Sequence, residues 1–147
     1  MLNNYLSFQS DMPATFLYPI IFLPTADLSQ TRHFYENILK LPLALDQGAC
    51  LIFRVGKYGY WGFCKQSEEG ILNPEKVCLT LVVETRTEVD EWHNYLAKEN
   101  VNVKRPPQYT AAYKIYNGFY LDPLGYTIEI QAFDTDGEPA GAELFKE

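Results

Sequence analysis

The residue of this chain best placed to do chemistry is Glu129, a carboxylate in the middle of the strand-like run Thr127-Ile128-Glu129-Ile130-Gln131-Ala132-Phe133. An unpaired charge buried in mid-strand is costly, so Glu129 must face water, a partner or a ligand. There it can act as a general base, or as a fixed anion that pairs with a positive group. Other reagents are poorly placed. His33 and His93 are the only histidines, and both fall within helical patterns rather than on strands. Cys50, Cys64 and Cys78 are an odd number without CxxC spacing, which predicts reduced thiols in a cytosol rather than a disulfide framework. No strand-borne histidine stands ready to activate Cys78 as a nucleophile.

The element that must position Glu129 begins at Asp122-Pro123-Leu124-Gly125. Pro123 pre-sets the turn, Asp122 can bond back to its backbone, and Gly125 closes it before the strand starts. Alternation then sends Tyr126, Ile128, Ile130 and Ala132 to a packing face and Thr127, Glu129, Gln131 and Phe133 to the other.

Upstream, the chain uses one unit twice. Phe16 to Pro24 reads as a strand, and Asp27 as the N-cap of a helix whose face carries Leu28, Thr31, Tyr35, Ile38 and Leu39, with Gln30 at the capping-box position. Strands are predicted over Leu43 to Asp46, Ala49 to Val55 and, after the turn at Gly56 to Gly59, Tyr60 to Lys65. The second copy opens with the apolar run Val77 to Val83, then Thr85 as N-cap with Glu88, and a helix face of Val89, Trp92 and Leu96, followed by Val101. An offset of 58 superposes the helices, and one of 66 carries Gly59-Tyr60 onto Gly125-Tyr126. The extra residues fall in a Pro- and Tyr-rich stretch, Lys104 to Asn117, which reads as a long loop.

Composition narrows the classes of function. At 147 residues, 47% hydrophobic and 15% aromatic, the chain supports one domain over residues 16–133 with modules at about 16–66 and 76–133. Residues 1–15 read as an arm and 134–147 as a solvated tail. A net charge of -7, with no basic cluster larger than Lys104-Arg105, argues against nucleic acid. No apolar run is long enough to cross a bilayer, and residues 1–14 lack a signal-peptide pattern, which predicts no membrane partner and a cytoplasmic protein.

Two stretches, Asp27-Leu28 with Phe34-Tyr35-Glu36-Asn37-Ile38-Leu39, and Asp122 to Ile130, resemble the helix and the closing turn and strand of the vicinal oxygen chelate superfamily. That superfamily includes glyoxalase I, bleomycin-resistance proteins and extradiol dioxygenases, and the resemblance covers about Leu17 to Phe133. It implies an α+β fold of two βαβββ modules forming a curled mixed sheet around a cavity, commonly in a homodimer. It also implies a divalent metal held by His and Glu at four equivalent strand positions. Those positions map onto Ile20, Phe63, Cys78 and Glu129, of which only Glu129 retains a family ligand. No cofactor is therefore expected. A metal remains the alternative if the register slips by one residue and admits Tyr18 or Thr80.

Alternation then defines a cavity face of Trp61, Phe63 and Lys65 with Thr127, Glu129 and Gln131, joined by Ile20 and Phe22 and by Cys78, Thr80 and Val82. Tyr109, Tyr113 and Tyr116 would form a lid from the Lys104 to Tyr116 loop. The resulting expectation is a metal-free, bleomycin-resistance-like protein that binds a small aromatic or apolar molecule. Its ligand contacts would be Trp61, Phe63, Cys78, Thr80, Thr127, Gln131 and Tyr113. The alternative is an enzyme, a lyase, isomerase or dioxygenase, with Glu129 as base or metal ligand and with Phe63 and Trp61 flanking the carboxylate.

Overall fold

The computed structural model describes residues 13–67 and 73–133. The tail at 134–147 and nearly all of the expected arm at 1–15 lie outside these residues. Two four-stranded mixed sheets carry the fold, each with a helix against one face. The first holds β1 (Ile20–Thr25), β2 (Leu43–Asp46), β3 (Cys50–Val55) and β4 (Gly59–Lys65) in the order β1-β4-β3-β2. The second holds β5 (Cys78–Val82), β6 (Asn102–Thr110), β7 (Ile115–Leu121) and β8 (Thr127–Phe133) in the order β5-β8-β7-β6. β1 runs parallel to β4 and β5 parallel to β8, while the remaining pairs are antiparallel. The sheets are thus two copies of one topology.

The helices start where their caps require. Asp27 accepts a bond from the Gln30 amide at 2.9 Å, opening α1 (Leu28–Arg32), which passes into a π-helical turn over His33–Ile38. The wider turn buries adjacent residues Phe34 and Tyr35 together with Thr31 and Leu39. In α2 (Arg86–Lys98) Thr85 and Glu88 form a reciprocal capping box, and Val89 and Leu96 are fully buried.

One core runs through both modules, on the helix side of the sheets. Tyr35 stacks on Phe63 at 4.3 Å and meets Trp61 edge-on, while Phe63 also neighbours Phe53 and Tyr126 of the second module. Three phenol hydroxyls stitch the modules together within the chain. Tyr35 donates to Asp122 Oδ2 at 2.8 Å, Tyr126 to the Pro24 carbonyl at 2.7 Å and Tyr95 to the Ile38 carbonyl at 2.9 Å. The turn before β8 forms as its residue types require. Asp122 Oδ1 accepts from the Leu124 and Tyr126 amides, Gly125 donates to the Asp122 carbonyl, and Gly125 takes φ +97°, open to glycine at little cost.

Three expectations are corrected here. Lys104 to Asn117 is a hairpin, β6 and β7 joined at residues 111–114, and not a loop. Its prolines are tolerated because β6 is an end strand, where an N–H facing away from β7 makes no ladder bond, and because the register slip between Arg105 and Gln108 leaves Pro106 and Pro107 without strand partners. Cys50 and Cys64 are disulfide-bonded, leaving Cys78 free, so the thiol argument for a cytosolic location lapses. They stand directly opposite each other on β3 and β4, a proximity made by strand pairing and invisible in their spacing. The third correction concerns which face β4 presents. Trp61 and Phe63 point into the helix-side core, Phe63 with no exposure at all, and not into a cavity with Glu129.

The cause is a one-residue error in the repeat. Gly59 already lies in a strand, paired with Val55, whereas Gly125 belongs to a turn. The offset of 58 carries Ile21 to Leu79, and their strand partners Trp61 and Ile128 stand 67 apart. The first-module counterpart of Glu129 is therefore Gly62. The Phe22 ring lies across it, so close that a Cβ there would sit 2.5 Å from the ring.

Candidate functional site

The face of the second sheet turned away from α2 is a grid of side chains set by strand register. One row crosses all four strands: Thr80 on β5 opposite Glu129 on β8, Glu129 opposite Phe119 on β7, and Phe119 opposite Arg105 on β6. A second row holds Val82, Gln131, Asn117 and Gln108. Residues directly opposite one another share a face, so pairing alone brings these eight together.

Within the grid Glu129 is gripped at both oxygens. Asn117 Nδ2 donates to Oε1 at 2.8 Å and Thr80 Oγ1 to Oε2 at 2.7 Å, with Cys78 Sγ 3.7 Å from the same oxygen. Asn117 is itself buried, and its carbonyl accepts from Arg105 at 2.6 Å and from Thr110 at 2.8 Å. The Arg105 guanidinium lies 4.8 Å over the Phe119 ring, a cation–π contact. Lys104, beside it in sequence, reaches Thr127 at the β5–β8 side at 3.3 Å. Burial pushes the Cys78 thiol up, the Glu129 charge pushes the same way, and the bond with Thr80 only partly opposes them. Cys78 is thus held as a thiol, unsuited to nucleophilic attack.

Glu129, Asn117, Phe119, Arg105, Cys78 and Gln131 floor an open groove of about 750 Å³, walled by Ile115, Phe133 and Tyr113. A second depression, of about 370 Å³ and lined by Lys40, Glu88, Glu91, Trp92 and Tyr95, is less promising because Glu88 serves the capping box and Tyr95 already donates to Ile38.

Sequence reasoning placed Glu129, Thr80, Cys78, Thr127 and Gln131 on one face, where the structure has them, with Tyr113 at the groove rim. Trp61 and Phe63 are absent from it, and Tyr116 turns to the helix side, donating to Asp90 at 2.7 Å. Arg105, Gln108 and Asn117 were missed because the stretch Lys104 to Asn117 reads as a loop, and Phe119 because no strand is assigned to the residues that follow that stretch. The signal was present in Ile115-Tyr116-Asn117-Gly118-Phe119-Tyr120-Leu121, a run of strand-forming residues leading into the Asp122 turn.

A sequence profile of the Glyoxalase/Bleomycin resistance protein/Dioxygenase superfamily matches residues 18–130. The chain belongs to that superfamily. Solved structures agree in fold. A glyoxalase/bleomycin resistance protein/dioxygenase from Nocardioides superposes with a TM-score of 0.69 at 17% identity, over 95% of this chain and 97% of that one. A family enzyme from Burkholderia phytofirmans gives 0.68 at 17% identity, over 78% and 97%. A lactoylglutathione lyase from Agrobacterium tumefaciens gives 0.65 at 17% identity, over 82% and 96%. At such identities the likeness is one of fold. No curated protein matches the chain.

The metal that superfamily membership raises can be tested against the donors present. Beside Glu129 stand a threonine hydroxyl, a protonated thiol and a carboxamide, and both Glu129 oxygens already accept hydrogen bonds. The equivalent pair in the first module is Phe22 and Gly62, which offers no ligand atom. Among the described residues no three His, Cys, Asp or Glu side chains are grouped to hold a cation. The described residues therefore do not supply the three protein ligands of a catalytic zinc site.

Proposed function

We propose that this superfamily member is a metal-free small-molecule binder that takes an aromatic or apolar molecule into the groove over Phe119 and Glu129. One observation carries the reading: an open groove of ligand size in which aromatic and aliphatic walls surround a few convergent polar groups. The setting of Glu129 supports recognition over proton transfer. Thr80 and Asn117 fix both of its oxygens, and the aromatic flank that would have favoured a base, Phe63 and Trp61, lies on the other side of the sheet.

Titration with the neutral fluorophore N-phenyl-1-naphthylamine tests this. Saturable binding is expected in the native protein, weakened about 10-fold in Phe119→Ala, the loss of one aromatic contact surface. An identical titration in the variant, or none in the native protein, would sink the proposal.

The working unit we propose is a homodimer. β1 and β5 are end strands of their sheets, and they expose Ile21, Phe22 and Val82 at 51%, 52% and 58% beside Tyr18. Such apolar strand edges are normally covered. Light scattering on a sizing column should give twice the chain mass of 16.9 kDa. Phe22→Glu should shift it to the monomer, whereas a monomeric native protein rules the dimer out.

A further inference from the structure

The one basic pair in the sequence, Lys104-Arg105, has a structural role that net charge conceals. In a chain of net charge -7 these two cations are brought to the edge of the sheet that bears the groove. The prolines that follow, Pro106 and Pro107, explain how. Pairing of β6 with β7 skips a residue between Val103 and Arg105 and again between Arg105 and Gln108, a bulged segment that re-aims side chains. Arg105 is turned into the groove wall, while Lys104 donates to Thr127 on β8.

Arg105 and Glu129 then occupy two positions of one cross-strand row, with Phe119 between them. Two strand spacings separate their backbones by about 10 Å. They do not neutralise each other. No ion pair joins them among the described residues, and the buried Asn117 holds one with its carbonyl and the other with its amide. Arg105 spends one donor on Asn117 and one on the Pro106 carbonyl, leaving the remaining guanidinium hydrogens for a guest. The groove therefore offers a cation stacked on an aromatic ring, with an anion opposite that ring on the next strand.

We infer that the groove selects an aromatic carboxylate whose acid group sits on the Arg105 guanidinium stacked over Phe119 and whose ring packs beside that stack, with a hydrogen-bond donor at the opposite end on Glu129. This rests on the binding reading above and gives it a ligand class. Guanidinium is suited to the acid end because its planar fork matches a carboxylate and its charge persists at any working pH.

Three probes of one shape test it by calorimetry: benzamide, benzoate and 4-(aminomethyl)benzoate. Benzoate should bind about 10-fold or more tightly than benzamide, the usual worth of a charge-assisted bond, and 4-(aminomethyl)benzoate more tightly again. Arg105→Gln should erase the first preference, Arg105→Lys should keep part of it, and Glu129→Gln should erase only the second. Circular dichroism of each variant guards against misfolding, with Arg105→Lys standing in if Arg105→Gln unfolds. Equal affinity for benzamide and benzoate, no gain from the amine, or an acid preference that survives in Arg105→Gln overturns the inference while leaving a pocket that binds aromatic molecules. Failure of all three probes to bind, with N-phenyl-1-naphthylamine still bound, also overturns the inference alone. Failure of that fluorophore as well overturns the binding reading with it.

Discussion

Replacing Phe63 by alanine is expected to lower the unfolding free energy by about 3–5 kcal/mol, the usual cost of deleting a fully buried phenyl ring. Phe63 has no solvent exposure and is wedged between Tyr35, Phe53 and Tyr126, so it joins the first-module helix to the residue that leads into the closing strand of the second. Few small neighbours can move in to fill the gap. Urea denaturation would register the loss as a lower midpoint. The experiment also separates core from cavity, because a ligand contact would weaken binding and leave the midpoint nearly unchanged.

Asp122→Ala should cost about 2–4 kcal/mol, since the Tyr35 hydroxyl and the Leu124 and Tyr126 amides lose their acceptor in a largely buried site. The loss is smaller than that of three full bonds because the alanine also removes a buried charge. That charge gives the stability of the protein a pH dependence of its own. Burial pushes the Asp122 carboxyl above the ordinary carboxylate range, against the opposing pull of bonds from Tyr35, Tyr126, Leu124 and Gly125. The folded chain thus binds this proton more tightly than the unfolded chain. The contribution of Asp122 to stability is greatest below its unfolded pKa and falls as pH rises through that value to the raised one. Other carboxylates add slopes of their own, so the informative quantity is the difference between the native protein and Asp122→Asn. It should favour the native protein least at the top of this window. A pH-independent difference would show that Asp122 ionises alike in both states.

The stability of both sites depends on contacts far apart in sequence, whereas the helices and all strands but those of the β6–β7 hairpin were legible locally. Thr85 with Glu88 and Asp27 ahead of Gln30 mark helix starts because a cap acts within three residues of itself. Asp122, Pro123 and Gly125 specify their turn for the same reason, and the alternation of β8 follows from the geometry of one strand. The internal repeat was readable too, although sliding Gly59 onto Gly125 mistook a strand residue for a turn residue and put Phe63 and Trp61 on the wrong face. In a strand an error of one residue reverses every side chain.

The site was only half legible. Glu129, Thr80 and Gln131 follow from alternation in strands that the sequence announces. Arg105, Asn117 and Phe119 lie on a hairpin whose first strand contains two prolines, a pattern that reads as loop unless the strand is known to be at an edge.

From the sequence alone, then, came the helices with their caps, the Asp122 turn, most of the strands and the single carboxylate around which the site is built, together with a resemblance to the superfamily. The caps, the turn and the alternation are set by interactions within a few residues of the chain. Tertiary structure decided which face of β4 is core, that Cys50 lies against Cys64, and that Arg105, Phe119, Glu129 and Thr80 stand in one row. Such a row depends on the register of four strands drawn from 50 residues of chain, from Thr80 to Glu129. Register is settled by the whole packed sheet and by no local stretch of it.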